Sequence, residues 1–254
     1  MSRHLAIVPA LNEAGAIAAI VAEIREYAPG FDVLVVDDGS LDDTAAIAAA
    51  AGARVISMPF NVGIGGAVQC GYLYARDNGY AIAVQVDGDG QHDPRDIPRL
   101  LAALHEEPVV EMATGSRFLG EPSGYRPSRA RRAGIGVFAM LVSLITGQRV
   151  TDATSGFRMS ARRGIELFAR DYPHDYPEVE AILLLHAHRL RVREVAVGMR
   201  PRASGRSTIG RGLQAYYMAK VLFAVFVGIF RARASVPIGR QADSDGPTEP
   251  RLPG

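Results

Sequence analysis

Short β-rich runs alternate with alanine-rich helical patterns through the first half of the chain, and that alternation leaves few folds open. Leu5–Val8 is followed by Ala14–Tyr27, Val33–Val36 by Asp42–Ala51, Arg54–Ile56 by Gly65–Asn78, and Ala81–Val86 by Asp96–His105. At this spacing each strand-helix-strand unit is a right-handed crossover, which predicts an α/β fold with a mainly parallel sheet and helices on both faces. Open sheets of this type bind ligands beyond the carboxyl ends of their strands. The polar clusters fall at those ends: Asn12 and Glu13 after the first strand, Asp37 and Asp38 after the second, Asp87 and Asp89 after the fourth. Three strand ends are thereby expected to share one crevice.

The stretch Ala83–Pro94 delivers the most chemistry to that crevice. Side chains of an extended segment alternate, so Asp87, Asp89 and Gln91 can point to one side. Two carboxylates and an amide are hard oxygen donors of the kind that suit Mg²⁺ or Mn²⁺, which leave positions open for waters and substrate phosphates. An isolated Asp-x-Asp is more often a solvated acidic turn, so its context decides. His92 reads as a hydrogen-bonding loop residue and is left out of the metal set. Asp38 or Ser40 also has a structural reading, as a cap accepting amide hydrogen bonds at the start of the next helix.

Bulk properties narrow the class of partner. The chain has 254 residues, 48% of them hydrophobic, which suits one large domain with appendages. A formal net charge of +1 gives no whole-molecule field for nucleic acid, and none is expected as partner. The single cysteine, Cys70, rules out an intramolecular disulfide framework and a cysteine-based zinc cluster and fits a reducing cytoplasm. The N-terminus runs from Met-Ser-Arg-His straight into Leu5–Ala10, without the h-region or cleavage site of a secretory signal.

Past Val109–Thr114 the pattern changes. An arginine-rich connection, Arg117–Arg132, precedes an apolar helix at about Ala133–Ile145 that is expected to pack on the sheet. Thr151–Met159, two helical stretches at Arg162–Ala169 and Glu178–Arg189, the strand-like Val192–Val197 and the basic segment Arg200–Arg211 follow.

Six blocks stand in order along the chain: IVPALNE at Ile7–Glu13, VVDDGSLDDT at Val35–Thr44, NVGIGGAVQCGY at Asn61–Tyr72, VDGDGQHDP at Val86–Pro94, GSRF at Gly115–Phe118 and TSGFRM at Thr154–Met159. Together they resemble the inverting glycosyltransferases of family 2, and more narrowly the dolichyl-phosphate mannosyltransferase and polyprenyl-phosphate glycosyltransferase branch. The resemblance covers roughly residues 4–210 and implies a GT-A fold, a nucleoside diphosphate sugar donor such as GDP-mannose or UDP-glucose, and a Mg²⁺ or Mn²⁺ cofactor. Asp87, Asp89 and Gln91 match the metal motif of that branch. Pro9, Leu11, Glu13, Val36, Asp37, Asp38, Gly65, Asp87, Gly88 and Asp89 fall at donor-binding positions, and Asp89, Arg117 and Arg202 are the candidate catalytic set. The family often has an aromatic where this chain has Leu11, and the eukaryotic branch has a lysine at the position of Thr208.

The acceptor decides what else the site must hold. A phosphate monoester already carries an anionic oxygen and needs cations; Arg117, Arg129, Arg131 and Arg202 are the candidates, arginine's planar fork suiting phosphate oxygens. A hydroxyl acceptor needs a base, for which Glu178, Glu180 and Asp152 are available. Transfer to polyprenyl phosphate is the reading adopted, with a saccharide hydroxyl acceptor or a catalytically silent sugar-nucleotide-binding subunit as alternatives.

Residues 1–210 are therefore read as the catalytic domain, 211–234 as an apolar C-terminal helix and 235–254 as a disordered tail. Lys220 interrupts Gly212–Phe230, so that helix is expected to lie at a membrane surface, or to dock on a small membrane partner or a second copy, rather than to span. The implied location is the cytoplasmic side of the cell membrane, as a peripheral protein.

Overall fold

The computed structural model describes residues 3–120, 129–174 and 176–201, with the side chains of residues 129–131 left out. Arg202, the helix expected at 211–234 and the tail at 235–254 lie outside the described residues. The elements run β1 (His4–Ala10), α1 (Ile17–Tyr27), β2 (Phe31–Asp37), α2 (Thr44–Ala50), β3 (Arg54–Ser57), α3 (Gly63–Asp77), β4 (Ile82–Gln85) and α4 (Ile97–His105). After these come β5 (Met112–Ser116), α5 (Arg129–Thr146), β6 (Arg158–Ala161), α6 (Arg162–Arg170), α7 (Pro177–Ala187) and β7 (Val192–Ala196). A single 3-10 turn at Pro94–Asp96 leads into α4, with Asp93 accepting the Arg95 amide at its start.

The seven strands form one sheet in the order β3-β2-β1-β4-β6-β5-β7. Its first half is the expected parallel array: β1 pairs in parallel with β2 and β4, and β2 with β3. β6 is inserted antiparallel between β4 and β5, while β7 lies parallel to β5. That inversion matters for function, because it brings the residues preceding β6 to the same sheet end as the residues following β4 and β5.

Alternation along β1 divides the core in two. Leu5 and Ile7 face α3, α6 and α7 in one cluster with Tyr72, Phe168 and Ile182; Ala6 and Val8 face α1 and α4 in another with Ile17, Ile24 and Leu100. All four β1 side chains are fully buried, as a sheet covered on both faces requires. Each buried Leu or Ile contributes about 1.5–3 kcal/mol relative to exposure.

α5 departs from expectation in part. It is described from Arg129 and its main packing partner is α7, while Phe138 and Val142 join the buried cluster that includes the sheet residues Leu5, Ile7 and Met112. Only one side of it is buried, through Ile135, Phe138, Ala139 and Val142.

Candidate active site

Backbone pairing continues past the strand ends and fixes the crevice. Asp38 N–H donates to Ala10 O at 2.8 Å on one side of β1, while Val86 N–H donates to Ile7 O at 2.9 Å and Gly88 N–H to Pro9 O at 3.1 Å on the other. The Asp37–Asp38 corner and the Asp87–Asp89 turn therefore flank the end of β1, with Glu13 a short step beyond it. Gly88 is required at that junction: a Cβ there would stand 2.9 Å from Pro9 O.

Asp87 is oriented from three directions. Gln85 donates its amide to Asp87 Oδ1 at 3.0 Å, and the Asp87 N–H donates to His92 Nδ1 at 3.1 Å. That bond leaves Nε2 as the protonated nitrogen of a neutral His92 ring, 3.7 Å from Asp87 Oδ2. The ring itself stacks on Phe157, centroids 4.9 Å apart and 12° from parallel. Gly156 closes the third side, where a Cβ would sit 3.2 Å from Asp87 Oδ2 and 3.3 Å from Gln85 Nε2. Asp89 Oδ1 accepts the Gln91 N–H at 3.0 Å, forming a local turn that holds the second carboxylate. Asp87 side-chain surface is one-third open, at 34%, whereas Asp89 is buried. The donor set is hard oxygen and fits Mg²⁺ or Mn²⁺. Among the described residues no group of three or more His, Cys, Asp or Glu is placed to hold a metal ion.

The Asp37–Asp38 side of the crevice is built differently from the capping anticipated. Asp38 accepts the amides of Val62 at 2.7 Å and Gly63 at 3.0 Å, and so caps α3 rather than α2. Asp37 accepts Ser40 N–H at 3.1 Å and Ser40 Oγ accepts Asn12 N–H at 2.8 Å, tying the β1 and β2 corners together. Glu13 is nearly buried and its amide donates to Thr44 Oγ1 at 2.9 Å. Leu11 is half-buried at the rim, whereas Pro9 belongs to β1 and Val36 is wholly buried in the core, supporting the crevice floor from below. Gly65 serves packing: a Cβ would lie 2.6 Å from both Pro173 O and His174 Cα. Gly65→Ala is accordingly expected to destabilise the protein by about 1–3 kcal/mol, read as a lowered midpoint in urea unfolding.

After β5, Arg117 and Asp152 form a buried bidentate pair, Nε to Oδ2 at 2.6 Å and Nη2 to Oδ1 at 2.8 Å, with Arg117 Nη2 also donating to Thr154 Oγ1 at 2.6 Å. Burial would push the Asp152 carboxyl up, but Arg117 outweighs it and holds the group below the usual carboxylate range. Asp152 has no exposed surface, which removes it from the candidate bases. Glu178 is better placed. Burial raises its carboxyl above the usual range, the charge of Asp87 adds to this, and Arg158 opposes it. Part of the Glu178 surface stays open even so. Glu180, also half-buried, lies one half-turn further into α7.

Arg158 was not anticipated as a site residue. Fully buried, it donates to the carbonyls of Ser155 at 2.8 Å and Pro177 at 2.9 Å and to Glu178 O, joining β6 to the start of α7. Gln85 was missed too, although it shares its strand parity with Asp87 and Asp89, a signal the sequence carries. Arg200, at the start of the basic segment, is engaged by Glu23 at 2.6 Å and Asp93 at 2.7 Å. Arg202 lies outside the described residues, as do the side chains of Arg129 and Arg131.

The open α/β sheet, with its inserted antiparallel strand and paired aspartates at the end of β4 beside a corner of acidic residues, is of the GT-A type. The chain belongs to glycosyl transferase family 2, whose family model matches residues 5–168. It is 29% identical over 221 residues to the undecaprenyl-phosphate mannosyltransferase of Micrococcus luteus, covering 83% of this chain and 89% of that one. To the polyprenol monophosphomannose synthase of Mycolicibacterium smegmatis it is 32% identical over 172 residues, covering 65% and 63%. The glucosyl-3-phosphoglycerate synthase of Mycobacterium tuberculosis, solved with Mn²⁺, UDP-glucose and phosphoglyceric acid, shares the fold with a TM-score of 0.68 at 23% identity, over 90% of this chain and 80% of that one.

Proposed function

We propose that this glycosyltransferase moves a hexose, with inversion, from a nucleoside diphosphate sugar to a polyprenyl phosphate. The observation that carries the reading is the convergence of Asp87 and Asp89 with Glu13 and the Asp37–Asp38 corner around the end of β1. The names of the Micrococcus and Mycolicibacterium relatives support the lipid phosphate as acceptor. Asp87, Asp89 and Gln91 would hold Mg²⁺ or Mn²⁺, which when bound offsets the charge growing on the departing diphosphate.

The chain's own residues supply the rest. Gln85, His92 and Gly156 fix the direction of Asp87, so that no reorganisation is needed as charge develops. Glu13 and the Asp37–Asp38 corner hold the nucleoside. Arg117 is neutralised by its bidentate pair with Asp152 and shapes the acceptor side by holding Thr154, whereas Arg158, whose bonds go to carbonyl oxygens, keeps its positive charge and supplies the fixed field for the acceptor phosphate. A phosphate oxygen attacking directly needs no base.

Glu178 motivates the second reading, a hydroxyl acceptor deprotonated by that raised carboxyl. The test is a donor panel offered with polyprenyl phosphate and Mn²⁺, scored for glycosyl-phospholipid. Product from one sugar nucleotide, lost on chelation, is expected. Glu178→Gln should retain turnover within about tenfold, because general-base removal costs about 10²–10⁴ only where a base is used. A loss of that larger size with donor binding intact would overturn the phosphate acceptor in favour of a hydroxyl.

A further inference from the structure

Beyond β7 the chain runs back along the loop that carries the paired aspartates. Gly198 N–H donates to Asp96 Oδ2 at 2.9 Å, Met199 forms an isolated antiparallel bridge with His92, and Arg200 N–H donates to Gln91 O at 2.9 Å. The Arg200 side chain then spans two elements, Nη1 donating to Glu23 Oε2 on α1 at 2.6 Å and Nη2 to Asp93 Oδ1 at 2.7 Å. Asp93 is itself fixed, since it accepts the Arg95 N–H at 3.1 Å and the Arg95 guanidinium at 2.7 Å.

The proposed reaction has no direct use for these contacts, yet the loop depends on them. Gly88 and Gly90 stand within it, Gly90 at φ +77°, and glycines leave a backbone more conformations to choose from than other residues do. Two of its hydrogen bonds, Asp87 N–H to His92 Nδ1 and Gln91 N–H to Asp89 Oδ1, tie its residues only to one another. Its start is anchored to β1 through Gly88 N–H and Pro9 O, whereas Met199 and Arg200 anchor its end at Gln91–Asp93. Among the described residues no group of three or more His, Cys, Asp or Glu is placed to hold an ion, so two carboxylates and an amide depend on where that loop end stands.

We propose that Arg200 is a positioning residue for the metal loop: clamped between Glu23 and Asp93, it keeps Gln91 and His92 where the Gln91 amide and the Asp87 carboxylate address one ion. The proposal rests on the reading of Asp87, Asp89 and Gln91 as metal donors. Arg200 acts through the loop and not on substrate, because two carboxylates take its guanidinium. The sign of the effect separates positioning from field. Arg200 is a cation bonded to a loop that would bind a cation, so its charge alone opposes Mn²⁺, and removing that charge should tighten binding. Loss of positioning should weaken it, as loss of other outer-shell partners of metal ligands does.

The test uses the full chain with Mn²⁺ and either UDP or GDP, free Mn²⁺ being read from its electron paramagnetic resonance signal. Arg200→Met should weaken Mn²⁺ binding about tenfold, with the KM for Mn²⁺ rising alike and kcat at saturating Mn²⁺ staying within about twofold. Arg200→Lys keeps the charge but offers no fork to hold both carboxylates, and should lose about threefold; it carries the test should Arg200→Met not fold. A role confined to stability would lower the thermal midpoint and leave the Mn²⁺ affinity of the folded protein unchanged. Affinity unchanged or tightened in the folded variants would overturn the proposal and leave the metal reading in place. Wild-type protein that takes up no Mn²⁺ with either nucleotide would remove the metal reading, and the proposal with it.

Discussion

Asp89→Asn is expected to lower turnover about a thousandfold while leaving the thermal midpoint essentially unchanged. The substitution keeps an Oδ1 to accept the Gln91 amide, so the local turn survives. What is lost is one of two negative charges in the proposed oxygen donor set, where electrostatic stabilisation of the leaving diphosphate is worth several kcal/mol and each 1.4 kcal/mol or so is a factor of ten. Asp87→Asn should be comparably inactive, with an added change in how Gln85 is held. Steady-state rates across a Mn²⁺ titration check this. An equal rate for wild type in excess chelator, or an Asp89→Asn variant within tenfold of wild type, would remove the metal from the proposed function.

The largest expected effect on stability belongs to the Arg117–Asp152 pair. Arg117→Ala leaves a carboxylate with no exposed surface and without its bidentate partner, a loss of about 3–5 kcal/mol. For a domain of this size that corresponds to a fall of roughly 10 °C in Tm. Replacing both residues by apolar ones of similar volume should recover most of the loss, because the desolvation of both charges then disappears together. The pH dependence follows from the direction of the Asp152 shift. Its folded value lies below the unfolded one, so the pair's contribution is fully present above the unfolded value and is lost as pH falls through the folded value. Arg117→Ala removes the cause of that depression and leaves burial to raise the carboxyl, so the deficit relative to wild type should shrink in acid. Chemical denaturation of wild type and variant from neutral pH down to about 3 measures it. A deficit that does not change with pH would show that Asp152 titrates alike in the folded wild type and the folded variant.

The parallel half of the sheet was legible because its residues obey local rules: β-rich runs, helical periodicity and polar residues at the strand ends. Ile7–Glu13, Val35–Thr44 and Val86–Pro94 announced the crevice for the same reason. The antiparallel placement of β6 was not legible, since a four-residue strand carries no mark of the direction in which it will pair. That one reversal decides that Gly156 faces Asp87 and that Arg158 lies opposite Gln85. Asp38 is similar. An acidic residue after a strand reads as a cap for the next helix, yet the two amides it accepts belong to α3, two elements on. Arginines were the least legible of all. Arg117 read as a cation available to phosphate and Arg200 as part of a basic segment, but their carboxylate partners stand 35 and 107 or more residues away.

Sequence by itself determined which residue types stand at the ends of β1, β2 and β4, and hence the family, the GT-A sheet and the acidic crevice, because strand periodicity and ordered motifs are local properties of the chain. Tertiary structure alone decided which of those charges face the crevice and which neutralise one another, and it set Arg200 against the loop that carries Gln91. The physical reason is common to both: pairing, burial and direction of approach depend on contacts between residues far apart in the chain, and no local pattern encodes them.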